Sequence, residues 1–138
     1  MIRNVIAIIA GIGTAFLTVM LIDRVNYMVF PPPAGLDFSD PTAIEPYLAT
    51  LPIGAFLFIL ASSVVAAFVG TLVAGYAGKI KPFYCAVIVG GMVFAATVAN
   101  FIAIPHPLWL SIATLLGIVV SAWLAMRLVP DTTGGDGI

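Results

Sequence analysis

This sequence predicts an all-α integral membrane protein, four transmembrane helices folded as an up-down antiparallel bundle, and three observations predict it. Hydrophobic residues make up 62% of the 138-residue chain and charged residues 8%, against about 25% charged in ordinary soluble domains. Four uncharged runs, residues 5–22, 51–77, 82–105 and 107–126, hold 18, 27, 24 and 20 residues. A helix needs about 18–20 apolar residues to cross roughly 30 Å of hydrocarbon. The runs are apolar all round with no period of two, which argues against barrel strands. Five basic and six acidic side chains cannot coat such a chain against water, so lipid must be its main solvent.

The first helix is expected over about residues 4–30. Arg3 and the apolar run behind it resemble a signal peptide, but the run is long and meets Asp23 and Arg24 rather than a small-x-small cleavage site. A retained anchor is the expectation. Ala7, Gly11 and Ala15 recur every four residues, so one stripe admits a close neighbouring backbone. Thr14 and Thr18 can return their hydroxyls to carbonyls of their own helix.

Pro31, Pro32 and Pro33 stop this helix, since each ring fixes φ and lacks an N–H. They open a loop over residues 31–51 that turns at Ala34 and Gly35. Asp40 followed by Pro41 has the pattern of an N-cap with proline at the first helical position. A short helix over residues 42–49 would put Ile44, Leu48 and Leu51 on one side, lying on the membrane. The second span is expected over residues 52–77, capped by Thr50 or Leu51, with Ala66, Gly70, Ala74 and Gly78 as a packing ridge. Gly78 suits a left-handed C-cap and Pro82 a helix start, so the short turn between them forces a hairpin. The third span, residues 82–104, carries Gly90, Gly91, Ala95 and Ala99 on its expected packing face. The fourth, residues 107–128, carries Gly117, Ser121 and Ala125. Gly11, Gly70, Ala74, Gly91 and Gly117 are thus the leading packing residues. Pro130 ends the fourth span, and residues 131–138, rich in Gly, Thr and Asp, are expected to be a disordered cytoplasmic tail.

An even number of spans places both termini on one side. Arg3, Lys79, Lys81 and Arg127 share that side, leaving Arg24 near the other, and the excess of positive charge marks the side as cytoplasmic. The acidic loop then faces outward from a bacterial inner membrane.

The chemistry-bearing residues gather near the outer level. Asp23 and Asn100 fall in the outer leaflet, Glu45 and His106 just above it, and Tyr27 between; His106, the only histidine, stands in a Pro-His-Pro corner. Intramembrane ionisable residues are functional suspects because their burial is expensive. Asp23, Tyr27, Asn100 and His106 are therefore the candidate polar cluster, with Asn100 and Tyr27 as hydrogen-bond donors to Asp23. No metal or other cofactor is expected, since one histidine and scattered carboxylates fall short of the three or four ligands most sites need. No catalytic set is expected either: Ser62 and Ser63 lie mid-span, away from any base. Cys85 alone excludes an internal disulfide or a Cys-x-x-Cys redox pair, and is expected to be inert packing. A net charge of −1 gives no reason to expect nucleic acid as a partner.

The segments Pro-Pro-Pro-Ala-Gly-Leu-Asp at residues 31–37, Leu-Pro-Ile-Gly-Ala at 51–55 and Pro-His-Pro-Leu-Trp at 105–109 resemble those of a family of small uncharacterised bacterial four-span membrane proteins. The resemblance covers most of residues 1–128 and implies the four-helix fold. It also implies an acidic residue at Asp23 and a histidine at the position of Tyr27, where this chain departs from the pattern. The reading drawn from all of this is a non-enzymatic structural or accessory subunit, whose partners are the lipid bilayer and either a membrane protein or further copies of itself. The alternative is an oligomeric transporter of a small solute or ion that works through the cluster around Asp23.

Overall fold

The computed structural model describes residues 1–134. Its helices are α1 (Ile2–Val29), α2 (Pro41–Thr50), α3 (Ile53–Ala77), α4 (Pro82–Ala103) and α5 (Leu108–Leu128). All but α2 are long and apolar enough to cross a membrane, so the chain is a multi-pass, all-α membrane protein with the start of α1 and the end of α5 at one end of the bundle. A 3-10 turn over Thr132–Gly134 follows α5. Asp131 organises it by accepting the Thr133 N–H at 3.0 Å. Order therefore extends further into the expected tail than its composition suggests; residues 135–138 of that tail lie outside the described residues.

α3 is the central helix. α1 packs along one side of it, and α5 together with the first half of α4 packs along the other. The α1–α3 contact is backbone on backbone. A Cβ built on Gly11 would lie 2.6 Å from the Gly70 carbonyl oxygen, and one on Gly70 would lie 2.7 Å from the Gly11 carbonyl oxygen. Ala74 is fully buried beside them. Gly117 on α5 receives a side chain of α3 rather than its backbone, since its Cβ would meet a Val64 methyl at 2.6 Å. Close packing of this kind replaces the hydrophobic driving force that helices lose in lipid.

Gly91 departs from the expected packing face. It is exposed, and a Cβ there would meet nothing within 4 Å. Ala95 and Ala99 face outward with it. The buried side of α4 is instead Cys85, Val89, Val93 and Thr97, and it is Gly90 that touches α5, at Ala122. A π-helical turn over Ala86–Gly90 sets this phase. Each such turn adds a residue and rotates the remainder of the helix by about 100°. Small residues are as comfortable against lipid as against a helix, so their presence alone did not identify the face.

At the end carrying the termini, polar side chains tie the helix ends together. The Asn4 side-chain oxygen accepts the Lys79 N–H at 2.8 Å, and the Arg3 Nε–H donates to the Ala77 carbonyl at 2.9 Å. A guanidinium there also suits the negative end of the helix dipole. Gly78 caps α3 with an extended backbone, φ −91° and ψ 174°, not the left-handed conformation expected. Its small size matters for another reason, because a Cβ would lie 3.1 Å from that of Ala7. Gly35, with φ +80°, does take the left-handed region and turns the chain after the proline triplet.

The α2 helix corrects a second expectation. Asp40 caps it by accepting the Thr42 N–H at 3.0 Å, and Pro46 is accommodated inside it. Its apolar side is turned onto the bundle. Ile44 is 2% exposed and lines the mouth of the bundle together with Leu48 and Leu51. α3 begins one residue later than its expected start, with Pro52 as the cap and no side-chain cap bond.

Candidate functional site

Asp23, Asn26, Tyr27 and Phe30 all project from the last two turns of α1, because residues three and four apart share a helix face. At the loop end they line one side of a cavity of about 170 Å³. Asn100, Ile104 and His106 line it from the end of α4, Ala55 and Ile59 from α3, and Phe38, Ile44 and Tyr47 from the loop and α2. All four residues of the candidate cluster therefore border one space. Its volume corresponds to about six waters at roughly 30 Å³ each, too small for a drug-sized ligand and adequate for a small polar group.

Asp23 also lines a second cavity of about 190 Å³, which runs from it toward Ala15, Ser63 and Thr97 between α1, α3 and α4. Asn100 and Ile59 border both cavities. Asp23 thus stands where the loop-end cavity meets a groove that leads into the spans.

The cluster shares a space without forming the expected hydrogen-bonded network. Oδ1 of Asp23 is buried with no hydrogen-bond partner among the described residues, so neither Asn100 nor Tyr27 donates to it; the Ser62 hydroxyl, which here donates to the Ile59 carbonyl, is the side chain close enough to turn to the carboxyl group instead. Asn100 is exposed at the rim. Tyr27 is 47% exposed and packs edge-on against Phe38, with ring centroids 6.2 Å apart. His106 packs against Phe101 at 4.9 Å. Its Nδ1 lies 2.7 Å from the Ile104 carbonyl oxygen. A carbonyl can only accept, so Nδ1 carries the proton and Nε2 of the neutral ring is left as an acceptor. Burial pushes the His106 pKa below its ordinary value, while the Ile104 carbonyl pulls the other way. Burial likewise raises the Tyr47 phenol, with Tyr27 adding to the effect.

Asn26 is the residue that sequence reasoning missed. Its amide nitrogen donates to the Ala55 carbonyl at 3.4 Å, which fixes the orientation of the side chain. The amide oxygen, Oδ1, is then buried without a partner, one turn from the orphaned oxygen of Asp23. The available signal was spacing: a polar residue three positions after Asp23 on an apolar helix must share its face. Thr71 and Thr114 also have buried, unpaired hydroxyls, but a hydroxyl can rotate to donate to a carbonyl one turn back. The Asn26 amide oxygen and the ionised Asp23 carboxylate can only accept, and the interior of a helix offers no free N–H.

No protein-family model, curated protein or solved structure matches this chain. The chemistry of the site rests on its own geometry. Among the described residues no group of three His, Cys, Asp or Glu side chains comes together to hold a metal ion. Cys85 is fully buried in the core. A further groove of about 310 Å³ between α4 and α5, walled by Phe83, Gly91, Phe94 and Trp123, is predominantly apolar.

Proposed function

We propose that this chain is a non-enzymatic accessory subunit of a bacterial inner membrane, packed with itself or a partner protein, that holds a cationic group in its outward-facing cleft. The observation behind it is the pair of orphaned acceptors, Asp23 Oδ1 and Asn26 Oδ1, on one face of α1 and at one cavity. A carboxylate oxygen buried without a partner is costly even where the residue is only partly buried. Two adjacent acceptors call for a donor, and an ammonium brings both several N–H groups and the opposite charge. The outward orientation follows from Arg3, Lys79, Lys81 and Arg127 at the opposite end of the bundle from the cavity.

A second reading, an oligomeric transporter of a small cation, draws on the groove that continues from Asp23 toward mid-span at Ser63 and Thr97. Methylammonium separates the two. Calorimetric titration of the purified protein in detergent should saturate, and Asp23→Asn or Asn26→Leu should weaken binding about tenfold or more, the worth of a charge-assisted hydrogen bond. Binding without uptake of labelled methylammonium into reconstituted vesicles supports the accessory role, and uptake that Asp23→Asn abolishes supports transport. Absence of saturable binding by the unmodified protein would remove both readings.

A further inference from the structure

We infer that the cationic group is the primary ammonium of a phospholipid headgroup, which reaches Asp23 sideways from the outer leaflet through the gap between α1 and the loop-side half of α4. The inference rests on the cation-holding role proposed above and adds the ligand and its route.

Three features point to lipid. The first is where the cleft opens. α4 packs mainly against α3 and α5 and makes little contact with α1 along its length, and beyond Gly91 the groove occupies the gap between them. Phe16 on its wall is 46% exposed, and Asn100 and Ala96 are exposed as well. α2 and the loop lay Ile44, Leu48, Leu51 and Phe38 along the loop-end cavity, which is no more enclosed than the groove.

The second is the shape and polarity of the groove. Asp23 lies seven residues before Phe30, about 10 Å below the end of α1 at roughly 1.5 Å per residue. Ala15 lies eight residues further in, about another 12 Å along the helix. The groove therefore runs along the direction of an acyl chain, with its charged end uppermost. The hydroxyls low in it are already engaged: Ser62 donates to the Ile59 carbonyl at 2.9 Å, and Thr97 to Ser63 at 3.5 Å. What remains for a ligand there is the apolar wall of Phe16, Val19, Ala96 and Phe101.

The third is charge. Asp23 and Asn26 present acceptors, which bind an ammonium bearing N–H groups and give no hydrogen bond to a quaternary one. Arg24, the next residue on α1, is exposed at the same depth. Its long side chain can rise to the headgroup layer and meet a phosphate. Arg24 borders neither cavity, so the preference for a primary ammonium rests on the Asp23 and Asn26 oxygens.

Native mass spectrometry of the delipidated full chain, titrated with phosphatidylethanolamine or phosphatidylcholine of identical acyl chains, tests this directly. The ethanolamine lipid should be retained about tenfold better, and Asp23→Asn should erase the preference. Ala96→Leu, which fills the groove from an exposed position, should erase it too while leaving methylammonium binding intact. Equal retention of the two lipids, with methylammonium still bound, would overturn the inference and leave the cation-holding role standing. Persistence of the preference in Ala96→Leu would overturn the lateral route, and loss of both lipid preference and methylammonium binding would end the cation role as well.

Discussion

Replacing Gly70 by alanine probes the contact on which the bundle is built. The added Cβ would lie 2.7 Å from the Gly11 carbonyl oxygen, 2.9 Å from the Ala15 Cβ and 2.9 Å from a Val89 methyl. Non-bonded carbon contacts are comfortable at about 3.5–4.0 Å, so α1 must move away by close to 1 Å or the helices must bend. Two of the three obstacles are a backbone oxygen and a Cβ, which cannot rotate aside. Overpacking of this kind costs about 1–3 kcal/mol, and a rigid contact belongs at the upper end. Alanine returns up to about 1 kcal/mol over glycine in a helix interior. The expected net loss is therefore about 2 kcal/mol. Gly91→Ala is the matched control: its Cβ enters open space, so it should be neutral or stabilising by up to about 1 kcal/mol. Equilibrium unfolding by SDS in mixed micelles, followed by helical circular dichroism, measures both. Gly11→Ala combined with Gly70→Ala should be less than additive, because one displacement of α1 relieves both clashes. Equal stability of Gly70→Ala and Gly91→Ala would refute the reasoning, since it would mean that the α1–α3 backbones are not in contact.

Other perturbations test the ends of the bundle. Asn4→Ala removes the acceptor for the Lys79 N–H and should cost about 0.5–1.5 kcal/mol in the same unfolding assay, the smaller figure applying because water can reach the turn. His106 has a pKa lowered on folding, so the unfolded chain binds more protons below about pH 6.5. Stability should be full above that value, fall as pH drops through it, and level off below the folded pKa; His106→Phe should flatten the profile in that window, and an unchanged slope would count against the assignment. A reporter active only in the periplasm, fused after Leu128, should stay silent if the basic end is cytoplasmic, whereas a strong signal would reverse the orientation.

Local chemistry placed the helix boundaries in the sequence. The proline triplet ends α1, Asp40 and Pro41 open α2, and Pro52, Pro82 and Pro107 stand at the starts of the later spans. Hydropathy supplied the four spans because crossing hydrocarbon demands length and apolarity whatever the helices pack against. It could not say which face packs. In a soluble bundle the buried stripe contrasts with a polar exterior, but in lipid both faces are apolar and the contrast vanishes. Gly11 and Gly91 therefore look alike in the sequence, while the structure buries one and exposes the other. The π turn in α4, which sets that phase, has no local signature in residues 86–90. Depth was legible for Asp23, Tyr27, Asn100 and His106, since it follows from counting residues along each span. Their meeting at one cavity, the packing of Ile44 along that cavity, and the choice of Asn26 rather than Tyr27 or Asn100 as the residue with a buried oxygen beside Asp23 were set by helix rotation and by where α2 folds back. Those depend on contacts between segments far apart in the chain, which no local pattern encodes.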